Sequence, residues 1–403
     1  MKIRLYIIII VGLFFLNLKY IPLSLKIYTD LALIVYLFLD FCFCKKDKAR
    51  DKYTKIVSAL MILPFVSAIP CYIYRDQAIL DTLFVTRGQL LWLFFFYLRN
   101  HKVNVKTICE VFAGIGLFTA VINIIQQFTY PNFALFGVTL LNGADELDIR
   151  NGFYRFQFTS THFMLFSFFY YLYTVRDSKT GKLKNILFTI ISFIGIYFTM
   201  TRQLWLACIG AFVLYYFLVA KMSLSRKILL VLLTVSALLF ISNNLGTIIG
   251  TDVLEETDKN LNNENYVRWV AYDYFGLEYW ESPFNVLFGN GQHREGVGSP
   301  YANHIVFLYK EQGLYRSDIG IVGKFSLYGL IYCVVIILFY ITILVHNKRY
   351  PPYIIMLLLA SIITIPMSCW FDDILLMSGV IFICSRHEKT ISISDESINK
   401  SVC

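Results

Sequence analysis

Arg202 stands in Thr199-Met200-Thr201-Arg202-Gln203, between two apolar runs. A guanidinium there can snorkel to a membrane interface, or grip a phosphate or diphosphate through its planar fork of N–H donors. Arg87, in Phe84-Val85-Thr86-Arg87-Gly88, falls inside an apolar run with Asp81 six residues before it. Charge at that depth is costly, so it marks either a structural pair or a functional group. Arg155 and His162 flank the start of a further apolar run and could line the same space. The densest cluster comes later. Arg268-Trp269-Val270-Ala271 is followed by Pro283 to Gly291, by Tyr301-Ala302-Asn303-His304, and by Glu311, Arg316 and Asp318. Gly289 and Gly291 allow a tight turn with the backbone close to a ligand. A single histidine is more often structural than catalytic. His304 is nevertheless one of only six histidines and lies close in sequence to several charged residues, so it is the candidate proton acceptor.

Other chemistries lack their motifs. There is no phosphate-binding Gly-x-x-x-x-Gly-Lys loop, no His-Glu-x-x-His zinc site and no Gly-x-Ser-x-Gly elbow. Asp372-Asp373 reads as a turn. Nearly all of the nine cysteines lie in or beside apolar runs without metal-ligand spacing, and read as small apolar residues rather than a disulfide set.

The elements that must carry these residues follow from composition. The chain is 57% hydrophobic and 16% charged, against about 25% charged in a soluble domain, so it lacks the polar surface to cover a globule in water. The reading is an all-α bundle crossing a bilayer. Runs of near-span length lie at 5–18, 27–44, 56–74, 79–98, 107–128, 160–175, 185–201, 203–220, 228–242, 319–345, 353–370 and 372–385. The first, after Met1-Lys2-Ile3-Arg4, lacks a small-residue cleavage site and reads as a helix rather than a leader. Most of the 36 basic residues fall in alternate loops (around 45–55, 99–106, 176–184, 221–227 and 348–349) and at both termini. Basic loops stay cytoplasmic, which puts both termini inside and fits an even count of about twelve spans. The net charge of +9 therefore orients helices rather than binding nucleic acid. The chain divides into residues 1–242 with nine spans and an outer loop near 129–159, a large outer loop 243–318, three spans over 319–385, and a cytoplasmic tail 386–403. The large loop carries eleven acidic against five basic residues. Within it, Trp269, Tyr272, Phe275, Leu277 and Trp280 predict an amphipathic helix with aromatics at headgroup level, and a second helix is predicted from Tyr301 to Gln312.

This arrangement resembles the bacterial O-antigen polymerase and O-antigen ligase superfamily, polytopic enzymes of GT-C-like architecture. The resemblance covers most of the chain in topology and the stretches quoted above in motif. Thr199-Met200-Thr201-Arg202 matches the arginine after a Thr/Ser-rich helix end, and Arg268-Trp269-Val270-Ala271 matches the start of the long loop. Pro283 to Gly291 is similar to a Pro…Gly-x-Gly run, with the first glycine one residue short. Asn303-His304 with Gly313 and Ser317-Asp318-Ile319-Gly320 complete the set. The resemblance implies glycosyl transfer between lipid-linked sugars at the outer face of the inner membrane. Its donor would be a polyprenyl-diphosphate oligosaccharide, with no metal and no other cofactor.

On that reading Arg202 and Arg268 stabilise the departing diphosphate and His304 takes the proton from the acceptor hydroxyl. Arg87, Arg155, Arg316, Glu311, Asp318 and Asn303 then bind substrate, with Glu311 or Asp318 also behind His304 as base. Further partners would be membrane lipid, a chain-length regulator and a flippase. Two alternatives remain. One is a ligase moving finished glycan onto lipid A core or protein. The other is a flippase, which would usually show two similar halves that this chain lacks.

Overall fold

The computed structural model describes residues 1–44, 51–138, 149–150, 152–177, 181–219, 223, 225 and 266–401. Sixteen α-helices dominate them: α1 Lys2–Gly12, α2 Leu23–Phe43, α3 Lys52–Val66, α4 Ala68–Arg75, α5 Ile79–Thr86, α6 Leu93–Asn100, α7 Val105–Thr129, α8 Thr161–Asp177, α9 Lys182–Tyr197, α10 Arg202–Leu214, α11 Val267–Asp273, α12 Pro283–Phe288, α13 Pro300–Lys310, α14 Gly320–Val345, α15 Pro352–Thr364 and α16 Ile374–Ser401. Among the described residues, four two-residue strands interrupt the helices: β1 Gly137–Val138 pairs antiparallel with β4 Phe156–Gln157, and β2 Ile149–Arg150 with β3 Phe153–Tyr154. They fold the segment read from sequence as a plain outer loop.

Among the described residues, four helical stretches are long and apolar enough to cross a membrane: Lys52–Arg75, Ile79–Asn100, Val105–Thr129 and Arg316–Val345. Arg202–Phe217 and Pro352–Thr364 are apolar but shorter. The segment 228–242 lies outside the described residues. The first expected span, 5–18, is corrected. Its helix stops at Gly12, and Phe14, Phe15, Leu16 and Asn17 all take left-handed backbone. Eleven helical residues reach about 16 Å, roughly half of a hydrocarbon core. The last span and the tail are also redrawn, because α16 runs through both to Ser401 as one helix.

The helices turn apolar side chains outward as well as inward, which water would not select. On α14 the exposed side chains Leu330, Val334, Ile337, Leu338, Ile341 and Val345 form one apolar stripe, and Leu183, Ile186, Leu187, Ile190, Phe193 and Ile194 do the same on α9. Polar groups turn inward instead. Thr119 Oγ1 meets Ser160 Oγ at 2.6 Å, Ser167 Oγ meets Ser192 Oγ at 2.9 Å, and Asn123 Nδ2 donates to the Gly195 carbonyl at 3.1 Å. Glycines allow the close approach that these bonds need. A Cβ on Gly116 would lie 2.0 Å from the Phe163 carbonyl oxygen, and one on Gly195 2.4 Å from Ala120 Cβ. Gly116→Val should therefore separate α7 from α8 and cost about 1–3 kcal/mol. A lowered unfolding temperature of the detergent-solubilised protein checks it, with Gly88→Ala, which meets nothing within 4 Å, as control.

The two ends of the bundle differ chemically. One end joins the lysine-rich segments by ion pairs: Lys2–Glu110, Lys52–Glu388 and Arg349–Glu388 at 2.7, 2.8 and 3.6 Å, and Arg99–Asp51 at 3.3 Å. The opposite end collects the segment 266–319, the strands, and the turns at 76–78, 199–201 and 365–373. Every candidate residue named from sequence except Arg87 lies in these segments or beside them.

Candidate functional site

The segment 266–319 packs against α4, α5 and α14, and a broken helix makes the attachment. Gly329 interrupts α14 with φ 81° and ψ 177°. The break frees carbonyls that an unbroken helix would use. Ser326 O accepts from the Asn290 amide at 3.1 Å, and Leu327 O from the Gly291 amide at 2.9 Å. A Cβ on Gly289 would sit 2.2 Å from Leu327 O. The Gly289-Asn290-Gly291 turn therefore brings its backbone close to the protein's own helix, and not to a ligand as read from sequence. Ser282 caps α12 through a capping box with Asn285, and Ser299 caps α13. The helix predicted from Trp269 exists, but it buries Ala271, Phe275 and Tyr279 and leaves Trp269 and Leu277 exposed. The second helix spans Pro300–Lys310.

Arg75, at the end of α4, ties this segment down. Its Nε donates to Asn290 Oδ1 at 2.9 Å, Nη1 pairs with Glu281 at 2.7 Å, Nη2 donates to the Tyr279 carbonyl, and the guanidinium lies 4.2 Å from the Tyr279 ring centroid. Arg294 extends the contact by pairing with Asp81 at 2.7 Å. Asp81 thus does not pair with Arg87, which donates to the Phe84 carbonyl at 2.7 Å and stacks on the Phe84 ring, as Arg294 also does.

Arg316 is the centre of the cluster. It is 4% exposed, and its Nη2 donates to Tyr279 Oη at 2.5 Å and Tyr301 Oη at 3.1 Å. Tyr301 Oη in turn donates to the Gly291 carbonyl at 2.9 Å. The Nε and Nη1 of Arg316 are buried with no partner, as is Nδ1 of His293. Both residues line a cavity of about 160 Å³ with Ser317, Tyr309, Lys324 and Asp372. Arg316 and His293 border the same cavity, and a guanidinium with two unpaired N–H groups beside such a space can take an anion.

Burial, then the Arg316 charge, push the His293 imidazole down to about 4. A depressed histidine favours the folded state above the unfolded value of about 6.5, and that stability is lost as pH falls from there toward about 4. The loss should reach about 3 kcal/mol. Chemical unfolding of wild type and His293→Gln between pH 7 and about 4 checks it, and the variant should show the shallower pH slope.

A second cavity of about 400 Å³ is lined by Asn17, Arg155, Phe156, Phe158, Thr159, Thr161, Thr199 and Thr201. Met200, between the two threonines, and Asn17 both have left-handed backbone, so two sharp turns shape its wall. Arg202 opens α10 directly after this wall and is half-buried.

A pair of carboxylates joins the two cavities. Asp373 pairs with His162, next to the lining residue Thr161, and Asp372 pairs with Lys324 of the first cavity. The tight turn expected at Asp372-Asp373 is present as Trp370–Asp372, and its two acids also contact His162 of α8 and Lys324 of α14.

The remaining candidates divide. His304 on α13 is exposed, with Nε2 2.8 Å from Tyr274 Oη. Partial burial, then the charges of Arg75 and Arg316, lower its pKa. It connects to the Arg316 cluster through Tyr274, whose ring lies 5.6 Å from that of Tyr279, whereas Arg268 on α11 is half-buried beside Tyr272. Asn303 and Glu311 are exposed, and Asp318 accepts from Ser317 Oγ at 3.1 Å. Sequence reasoning missed Arg75, His293 and Lys324. Lys324 had a usable signal, being a lone lysine near the start of a long apolar run. Arg75 had a weaker one, an arginine in a loop on the sparsely basic side. Comparison with protein-family models, with curated proteins and with solved structures found no match for this chain.

Proposed function

We propose that the chain is a glycosyltransferase of the bacterial inner membrane that polymerises polyprenyl-diphosphate-linked oligosaccharide repeat units. It would cross the bilayer about twelve times, with both termini in the cytoplasm and the segment 266–319 in the periplasm. The observation that carries the reading is Arg316, a buried guanidinium with two unpaired donors that lines a cavity together with His293. A diphosphate is a leaving group whose growing charge such donors stabilise. The acceptor hydroxyl attacks the anomeric carbon, the bond to the diphosphate oxygen breaks with its electron pair, and the hydroxyl proton passes to His304. The larger cavity with Arg155, and Arg202 at its edge, offers room for the sugars or the second lipid-linked chain. Lys324 and His162, held by Asp372 and Asp373, lie between the two.

The purified chain incubated with a synthetic polyprenyl-diphosphate repeat unit should yield a ladder of longer glycans and free polyprenyl diphosphate. Absence of both products at full folding overturns the proposal. Transfer only onto lipid A core or protein would make the enzyme a ligase.

A further inference from the structure

The end of the bundle away from both cavities brings three ligand types together. Asp40 and Cys44 lie four residues apart on and just beyond the last turn of α2, so both face the same side, and His101 follows α6 directly. Asp40 Oδ1 lies 2.7 Å from His101 Nε2 and 3.2 Å from Cys44 Sγ, and the sulfur lies 3.8 Å from that nitrogen. The Asp40 side chain is 9% exposed, and its other oxygen is buried with no partner. No metal-ligand spacing marks the cysteines along the chain, because His101 is distant from Cys44 in sequence. Here a thiol, an imidazole and a carboxylate converge, the only such group of three among the described residues.

We propose that Asp40, Cys44 and His101 bind a divalent zinc-class ion, with water completing the shell. Thiolate and imidazole select such an ion over magnesium or calcium. Tetrahedral bonds of about 2.0–2.3 Å need ligand atoms roughly 3.3–3.6 Å apart. The cluster reaches this when the Asp40–His101 contact lengthens by about half an ångström and the Cys44 thiol gives up its proton. The ion would tie the end of α2 to the end of α6, independently of any reaction at the opposite end.

Full-length protein in detergent, stripped with a chelator, is titrated with Zn²⁺ and with Co²⁺ as a spectroscopic probe. One ion per chain is expected, with a thiolate-to-cobalt charge-transfer band and an unfolding temperature that rises with added Zn²⁺. Cys44→Ser and His101→Gln should each weaken binding at least about tenfold, while Cys42→Ser, an exposed neighbour, binds as wild type. His101→Gln keeps an amide within reach of Asp40, so a folded chain that has lost the ion is read directly. Failure of the wild-type chain to bind either ion, or undiminished binding by Cys44→Ser, overturns the site.

Discussion

Arg316→Ala should abolish polymer formation, with turnover down about 100- to 1,000-fold, the loss typical when a charge-stabilising donor is removed. Arg316 also holds Tyr279 and Tyr301, so alanine leaves two buried hydroxyls short of a donor and could loosen the segment around Gly291. Arg316→Lys separates the two effects. An ammonium keeps the charge and can reach one tyrosine, but it cannot present a planar fork to the tyrosines and to an anion together. Lysine should restore the folded yield and the unfolding temperature while leaving turnover at least about tenfold low. Product analysis at matched protein level measures this. Normal glycan length in both variants would remove Arg316 from the site.

His304→Ala should lower turnover by about 100- to 10,000-fold, the usual worth of a positioned general base, with little effect on folding because the side chain is exposed. A base works in its deprotonated form. Partial burial, Arg75 and Arg316 all disfavour the imidazolium, so the acid limb of the rate profile should fall below the ordinary 6.5 of histidine. Tyr274→Phe removes the 2.8 Å partner of Nε2 while leaving those charges in place. It should change turnover far less than His304→Ala and keep the acid limb below 6.5. A profile with no limb between pH 4 and 7, or full activity in His304→Ala, would assign the proton to another group.

The sites were legible only in part. Arg155 and Arg202 stand out in sequence as arginines beside apolar helix ends, and the structure places one on the wall of the larger cavity and the other directly after it. His304 and Arg316 stand out as a charged cluster, and in the fold Tyr274 and Tyr279 stand between them, with Arg316 on the wall of one cavity and His304 on neither. The glycine turn at 289–291 misled, because glycine signals close approach without saying to what. The partner turned out to be α14, opened at Gly329, and no local pattern around Gly289 announces a helix break at Gly329.

What the sequence determined by itself is the kind of element and the chemical difference between the ends. Hydropathy and charge run along the chain, so a local window is enough to find apolar helices and the basic segments between them. Tertiary structure alone decided which polar groups meet. His162 pairs with Asp373 across 211 positions, Arg75 reaches Asn290 across 215, and His101 meets Asp40 across 61. Helices present their side chains by rotation and depth, and packing sets both. Arg316 reads in sequence as one charged member of a loop cluster. Only packing buries it against Tyr279 and Tyr301, with two donors unpaired, and sets it on the wall of a cavity.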